Sequence, residues 1–170
     1  MAATNAPVPD LRRLSAEELT RLGEGSLREH IAAQAVVAHH KHAPLTFAGL
    51  DALLSDPECL RYPVRLVFEF GEMAVHQFAQ PDLDHRNQEH DGRVLYLRPL
   101  LRDHPDLTVL AVAYMIPVIN YGEIVADEHC LRYGATLLGM MEQEFYEAIC
   151  GMADFVGAEP MAAAEPPART

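Results

Sequence analysis

The stretch 107-LTVLAVAYMIPVINYG-122 carries no charged side chain and has a proline in its middle. It is bounded by Asp106 and Glu123, so the uncharged run is sixteen residues long. A helix that spans a membrane needs ~20 predominantly apolar residues. The run is too short for such a span, and we expect it to lie in the core of a soluble domain.

A helix start precedes this stretch. Pro105 loses no amide hydrogen that the first helical turn needs, and Asp103 complements the positive end of the helix dipole. The residues that follow are apolar on every side of a helix, which is typical of a helix buried on all faces. We therefore predict a central, buried helix over residues 106–120.

Two features of the same stretch complicate this prediction. Val109, Val112 and Ile116 are β-branched and fit a buried strand as well, but the length of the run and its start signal favour a helix. Pro117 removes one intrahelical hydrogen bond and presses on the preceding turn. We expect a kink or an early end of the helix at this residue.

The alternation of apolar and polar residues that is typical of strands appears further upstream. In 64-VRLVFEF-70 the apolar side chains occupy one face and the charged side chains the other. Residues 93–98 (RVLYLR) follow an Asp-Gly turn signal and predict another strand, and residues 72–79 (EMAVHQFA) are compatible with a third. Between them, residues 81–92 form a polar loop.

Helices flank this predicted sheet. The capping boxes 15-SAEE-18 and 26-SLRE-29 predict two helix starts, for a short helix near 16–22 and a longer one near 27–41. Further helical patterns cover residues 47–54, 127–138 and 142–155. The sequence therefore predicts an α+β domain in which several helices pack on a small two- to three-stranded sheet.

The ends of the chain have a different composition from the middle. Residues 1–9 and 158–170 are rich in alanine and proline and lack apolar periodicity, so we expect both to be disordered. Residues 10–157 then form a single globular domain, as the 170-residue length and the 49% hydrophobic content suggest.

Charge and cysteine content exclude several classes of partner. The formal net charge is -12, so a phosphate backbone or an anionic lipid surface would be repelled; we expect neither nucleic acid nor a membrane as partner. Cys59, Cys130 and Cys150 show no CxxC spacing, and the N-terminus lacks a signal sequence, so we predict a cytoplasmic protein with reduced thiols. Lys41 is the one lysine beside twelve arginines, a codon bias that suggests a bacterial source.

Two histidine-rich segments are candidates for metal binding. His39, His40 and His42 follow one another near the end of the second predicted helix, but adjacent helical side chains point about 100° apart and do not easily share one metal. The second candidate combines Asp84, His85, Glu89 and His90 of the polar loop with His76, which precedes the loop. These are suitable ligands for a divalent cation, although such loops are commonly just solvated.

The segment 127-DEHCLRYG-134 is a candidate for acid/base chemistry. His129 and Tyr133 are four residues apart on a predicted helix, and Glu128 precedes the histidine. Together with His76 these three form our candidate catalytic set; ordinary polar residues of a helix start are the alternative interpretation. The sequence contains no GxSxG, no P-loop and no GxGxxG motif.

The order of a strand at 93–99, the helix at 109–122 and the segment 128-EHCLRYGATLLGM-140 resembles the core of small zincin metallopeptidases over about fifty residues. In that family the helix carries HExxH, and a second helix supplies a third zinc ligand. His129 falls where that third ligand would be. The resemblance implies a zincin-like scaffold.

The zinc motif of that family is missing here. Val112 and Ile116 stand at the two histidine positions and Ala113 at the glutamate, so the hydrolysis that zincins perform cannot be assembled. A lone His129 cannot hold a divalent ion. The sequence therefore predicts no bound metal and no other cofactor, with a metal held by the His76, His85, Glu89 and His90 set as the rival.

Two functional hypotheses follow. The first is a non-catalytic binding or interaction module for a protein or small ligand, because no complete catalytic motif is present. The alternative is an enzyme of unknown class, with a metal-dependent hydrolase as one option, built from His76, Glu128, His129 and Tyr133.

The C-terminal helices also suggest self-association, since they carry more apolar residues than one buried face needs. A homodimer through this region is expected. The residues are Leu137, Leu138, Met140, Met141, Phe145, Tyr146, Ile149, Cys150, Met152 and Phe155.

Overall fold

The computed structural model describes residues 11–82 and 93–160. Over these residues the chain has the predicted α+β architecture, with five α-helices packed on a small sheet. The elements are α1 (Ala16–His42), α2 (Leu50–Leu54), β1 (Val64–Val67), β2 (Ala79–Asp82), β3 (Arg93–Leu97), α3 (Pro105–Tyr121), α4 (Asp127–Leu138) and α5 (Glu142–Gly157). One cluster of buried apolar residues runs from Ile31 to Val156 and joins them.

Helix α3 is the central buried helix that the opening stretch predicts, so the strand alternative is wrong. Val112, Ala113 and Ile116 are completely buried. The expected early end at Pro117 is also wrong, because the helix continues to Tyr121 and ends at a glycine with φ of 70°. Ile119 and Asn120 are buried and hold this last turn in place, although Pro117 has no amide hydrogen to donate to the preceding turn.

By length and hydropathy, residues Pro105–Ile124 could cross a membrane. However, 56% of the most apolar window is buried inside the domain. Core helices of soluble proteins show such burial. The helix is nevertheless longer than the sixteen-residue uncharged run that is too short to span a membrane.

The first helix is continuous, where the sequence predicts two. Ser15 and Glu18 form the predicted capping box, in which the Glu18 amide donates to Ser15 Oγ at 3.2 Å and the Ser15 amide to Glu18 Oε2 at 2.7 Å. The start predicted at Ser26 is wrong, since this residue lies inside α1. No proline separates the two segments, and the glycines between them are tolerated within an exposed helical stretch.

The sheet has the strand order β1-β3-β2. Strand β1 runs parallel to β3, with Leu66 opposite Leu95, and β2 runs antiparallel to β3, with Pro81 opposite Leu95. The predicted strands at 64–70 and 93–98 are confirmed in shortened form. The strand expected at 72–79 is wrong in position, because Ala79 is where β2 begins.

Arg98 explains why the residues before β2 form turns. This side chain is completely buried, and its guanidinium donates to the carbonyl oxygens of Gln77 at 2.8 Å and Ala74 at 3.4 Å, and also to that of Val75. Carbonyl groups that turn towards one cation cannot also take part in a regular strand ladder. The segment 74–77 is therefore shaped by an arginine that lies beyond β3.

Helices α4 and α5 form an antiparallel pair whose inward residues are those that the sequence predicts. Phe145, Ile149 and Met152 are buried, and Gly139 ends α4 in the left-handed conformation. The apolar surplus expected for a homodimer is thus largely used by the core. The residues of that set that stay well exposed are Met141, Tyr146, Cys150 and Phe155.

Some predictions fall on residues outside the described ones. These are the disordered N-terminus at 1–9, most of the tail at 158–170 and nearly all of the polar loop at 81–92. They remain predictions.

A glycine pair tests the packing of α4 on α5. A Cβ atom at Gly134 would overlap the Phe145 ring, whereas one at Gly151, on the exposed side of α5, would meet nothing within 4 Å. We expect Gly134→Ala to lower the free energy of unfolding by about 1–3 kcal/mol through overpacking. Gly151→Ala should raise it by about 0.5–1 kcal/mol, because alanine loses less backbone entropy in a helix. Urea unfolding measures both, and equal effects would contradict this packing.

Candidate functional site

A cleft lies where the second half of α1, the connection between α2 and β1, and the last turn of α3 meet. Its volume is about 410 Å³. The cleft is lined by His30, Gln34 and Val37 of α1, by residues 57–61, and by Asn120 and Tyr121 of α3. Small-molecule sites in proteins have volumes of ~300–1,000 Å³, so the cleft is large enough for a small ligand.

Asn120 holds the irregular wall of this cleft against α3. Its side-chain amide donates to the Cys59 carbonyl oxygen at 2.8 Å and its Oδ1 accepts from the Arg61 amide at 3.1 Å. Asn120 is only 9% exposed, so both hydrogen bonds lie in an environment where an unpaired polar group would be costly. The segment 59–61 is consequently fixed in position although it belongs to no helix or strand.

Aromatic and cationic groups form the rim of the cleft. The Arg61 guanidinium lies 5.3 Å from the centroid of the Tyr121 ring, within cation–π range, and the His30 ring packs edge-on against the same ring at 5.7 Å. Burial raises the pKa of Tyr121, and the Arg61 charge offsets part of this rise. Tyr121 therefore offers an uncharged phenol and an apolar ring at neutral pH.

A compact polar cluster adjoins the cleft and is centred on Asp56. Its Oδ2 atom accepts from Lys41 Nζ at 2.7 Å, lies 2.8 Å from His42 Nε2, and is 3.7 Å from Cys59 Sγ. Its Oδ1 atom accepts from the Glu58 amide at 2.9 Å. The hydrogen bond from Lys41, and then those from His42 and Glu58, hold the pKa of Asp56 well below its usual range despite burial.

The thiol of Cys59 belongs to both the cleft and the Asp56 cluster. Burial raises the pKa of Cys59 to about 11, and the neighbouring Asp56 charge adds to the effect. A thiol with this pKa is almost entirely protonated at pH 7, and the thiolate is the reactive form. Cys59 is thus not activated as a nucleophile.

Of the predicted acid/base residues on α4, His129 and Tyr133 lie on the packed side of the helix, whereas Glu128 is exposed. His129 Nδ1 accepts from the Ala126 amide at 3.1 Å, so the imidazole caps the helix, and its Nε2 is 3.9 Å from Glu128 Oε1. Tyr133 is 2% exposed, and burial raises its pKa, with Cys59 and Tyr121 adding to the rise. Within residues 11–82 and 93–160, neither His129 Nε2 nor the Tyr133 hydroxyl has a hydrogen-bond partner.

His76, the fourth member of the candidate catalytic set, lies apart from the residues on α4. It is exposed in the turn between β1 and β2 that Arg98 holds, whereas Glu128, His129 and Tyr133 lie on α4, which packs on α1, α3 and α5. No hydrogen bond or ion pair among the described residues links the two regions. The rest of the rival metal set, His85, Glu89 and His90, lies outside the described residues.

The three histidines in the last turn of α1 point apart, as the helical geometry predicts. His39 Nδ1 lies 3.0 Å from the Leu137 carbonyl oxygen, His40 is exposed, and His42 contacts Asp56. The sequence alone does not indicate this last contact, because Asp56 is followed by Pro57 just after the helical pattern at 47–54 and looks like the end of that helix. The remaining signal was the presence of Asp56 and Cys59 three residues apart directly after that helix.

Helix α3 offers no chemistry at the positions where a zincin would bind metal. Val112, Ala113 and Ile116 are all completely buried and apolar. No protein-family model matches the chain, and neither does any curated protein or solved structure. The structure defines an α+β domain, and the zincin-like scaffold stays a prediction.

The Asp56 cluster predicts a specific pH dependence of stability. Because the folded-state pKa of Asp56 lies below its unfolded value of about 3.9, its contribution is fully present above that pH and is lost as pH falls below it. We expect Asp56→Asn to lower stability at pH 7 and to weaken the loss of stability below about pH 4.

Urea unfolding at a series of pH values from neutral to acidic measures this effect. Asp154→Asn is the matched control, since Asp154 is exposed on α5 and has no side-chain hydrogen bond among the described residues. If the free energy of unfolding of Asp56→Asn fell below about pH 4 as steeply as that of the wild type, the Asp56 carboxylate would not have the lowered pKa described here.

Proposed function

We propose that this protein is a non-catalytic binding domain and that the cleft between α1, residues 57–61 and the end of α3 takes a small organic anion. The observation that carries this proposal is the geometry of that cleft, with a volume of about 410 Å³ and walls held by Asn120. Pockets that combine apolar walls with a few fixed polar groups are typical ligand sites.

Arg61 favours an anionic group on the ligand. No carboxylate of the described residues forms an ion pair with its guanidinium, while the acidic wall residue Glu58 is already paired with Lys41. A carboxylate on the ligand could accept two hydrogen bonds from the guanidinium. His30 and Gln34 provide further polar contacts, and Val37 and Tyr121 suit an apolar part of the ligand.

The protonation states support binding rather than catalysis. Burial raises the pKa of Cys59 to about 11 and that of Tyr121 and Tyr133 above their ordinary values, so all three groups are neutral near pH 7. Catalytic nucleophiles and bases usually have pKa values shifted towards the working pH. The cleft therefore has hydrogen-bonding groups but no activated nucleophile among these three.

As part of the same proposal, the protein acts in the cytoplasm with reduced thiols. Cys59, Cys130 and Cys150 are all free, and two of them are buried. Because the net charge of -12 repels other polyanions, we expect neither nucleic acid nor an anionic membrane surface as a partner.

Two arginine substitutions, one in the cleft and one outside it, test the proposed ligand site. We expect a panel of small carboxylic acids, screened by thermal shift and confirmed by calorimetry, to give at least one ligand. A ligand at 100 times its Kd stabilises the fold by about 2.7 kcal/mol. Arg61→Met should weaken that binding by at least about tenfold, whereas Arg65→Met, an exposed change on β1, should leave it unchanged.

Two results would contradict this proposal. One is a ligand whose affinity is the same in the wild type and in Arg61→Met. The other is catalytic turnover in a broad substrate screen that is lost in His129→Gln and kept in Arg65→Met. Glutamine at the third helical position can preserve the cap that His129 forms, so this second result would favour the alternative of an enzyme built on Glu128, His129 and Tyr133.

We also propose a homodimer through the exposed residues of the α4–α5 pair. Met141 is 70% exposed and Tyr146 is 48% exposed, and Cys150 lies on the same helix as Tyr146. Large exposed apolar side chains are typical of association surfaces. Light scattering at tens of micromolar protein should give twice the chain mass, and Tyr146→Glu should shift it to the monomer; a monomeric wild type would contradict the proposal.

A further inference from the structure

Three metal-binding side chains from two separate elements meet beside the cleft. His42 is the last residue of α1, while Asp56 and Cys59 belong to the turn that follows α2. Their ligand atoms all lie within 4.8 Å of one another. His42 Nε2 is 2.8 Å from Asp56 Oδ2, and Cys59 Sγ is 3.7 Å from the same oxygen.

The 3.7 Å between Cys59 Sγ and Asp56 Oδ2 is close to the ligand separation of a zinc site, whereas the 2.8 Å between His42 Nε2 and Asp56 Oδ2 is a hydrogen-bond distance that must widen when an ion binds. Zinc binds nitrogen, oxygen and sulfur ligands at about 2.0–2.3 Å with tetrahedral angles, which places two ligand atoms about 3.3–3.6 Å apart. We propose that His42 Nε2, an Asp56 carboxylate oxygen and Cys59 Sγ bind a Zn²⁺ ion, with the fourth position open to water or another small ligand. Zinc with three protein ligands and one exchangeable position is a common arrangement.

The backbone holds the donors in place before any metal binds. The Asp56 carbonyl oxygen accepts from the amides of Cys59 at 3.0 Å and Leu60 at 2.9 Å, and Asn120 binds the Cys59 carbonyl oxygen at 2.8 Å. The Ala43 amide donates to the His39 carbonyl oxygen at 2.9 Å and so closes the last turn of α1. A site held by such a framework needs little movement to bind an ion.

Lys41 is the group that a metal must displace. Its ammonium lies 2.7 Å from Asp56 Oδ2 and also contacts Glu58. The Glu58 side chain is 65% exposed and that of Lys41 is 38% exposed, whereas the Asp56 side chain is only 9% exposed. When zinc binds Asp56, Lys41 can therefore retain its pairing with Glu58 at the surface.

The binding step has a simple balance of bonds and charge. The Cys59 S–H bond breaks, its proton goes to solvent, and a zinc–thiolate bond forms in its place. The proton through which His42 Nε2 bonds to Asp56 in the metal-free cluster also goes to solvent. The ring keeps a proton on Nδ1, so the neutral imidazole binds zinc through Nε2. With neutral His42, the thiolate and the Asp56 carboxylate together neutralise the two positive charges of the ion. No oxidant or reductant takes part.

Zinc titration of the full-length, untagged protein tests this proposal, with zinc alone as the probe and a chromogenic chelator as competitor. We expect one equivalent to bind. Substitution of a ligand in His42→Gln, Asp56→Asn or Cys59→Ser should weaken binding by at least about tenfold. The matched controls His40→Gln and Cys150→Ser change an exposed histidine and an exposed thiol, and should leave the affinity unchanged.

Two further measurements keep the proposal testable if a ligand variant is unstable. Cobalt in place of zinc should give a thiolate-to-metal absorption band in the wild type and in Cys150→Ser. Lys41→Met should bind zinc more tightly than the wild type, because it removes the competing cation from Asp56. Circular dichroism of each metal-free variant checks that it is folded.

The proposal is overturned if the wild type takes up no zinc, or if its uptake depends on His40 and not on His42. A cobalt complex without the thiolate band would also overturn it. After any of these results, the role of the Asp56 cluster would be limited to an ion pair that joins the end of α1 to the turn after α2. Because these readouts use the metal alone, they are independent of whether a small organic anion binds the cleft.

Discussion

The hydrogen bonds of Asn120 are the interaction on which the site depends. This residue stands in the last turn of a helix that is buried on nearly every side, and its side-chain amide pairs with both the Cys59 carbonyl and the Arg61 amide. The segment between α2 and β1 has no regular secondary structure, so its backbone groups need such partners. The hydrogen bonds of Asn120 therefore attach the wall of the cleft to the rigid core helix.

From this one constraint the remaining features follow in order. With residues 59–61 fixed, Arg61 comes to lie over the Tyr121 ring and Cys59 faces Asp56. Asp56 in turn accepts hydrogen bonds from Lys41 and His42 at the end of α1, and these bonds join α1 to the same wall. The cleft and the proposed zinc site thus share Cys59, and a ligand in one is expected to affect the other.

Local signals in the sequence account for the parts of the fold that could be predicted. The apolar run of α3, the capping box at Ser15 and the inward face of α5 each depend on residues close together in the chain, and all three predictions are confirmed. The helix start expected at Ser26 fails for a local reason, since the glycines before it are tolerated within α1. Other predictions fail because they depend on distant partners. The strand expected at 72–79 is displaced because Arg98, which lies beyond β3, binds the carbonyl groups of residues 74–77.

The same distinction between local and distant signals explains which site residues could be predicted. His129 and Tyr133 were singled out because a four-residue spacing is visible in the sequence, and they do lie together on α4. The meeting of His42 with Asp56 and Cys59 could not be predicted, since it depends on how α1 packs beside an irregular turn. Nothing in the spacing of these residues indicates that α3, through Asn120, holds the turn in place.

The most direct test of this account is the hydrogen exchange rate of the Arg61 backbone amide, measured by NMR under native conditions. Arg61 lies in an exposed, irregular segment, yet its amide donates to the buried Asn120 side chain at 3.1 Å. We predict that this amide exchanges slowly, with protection close to that of α3 amides, and that the protection disappears in Asn120→Ala. An Arg61 amide that exchanges as fast as an unprotected loop in the wild type would contradict the account.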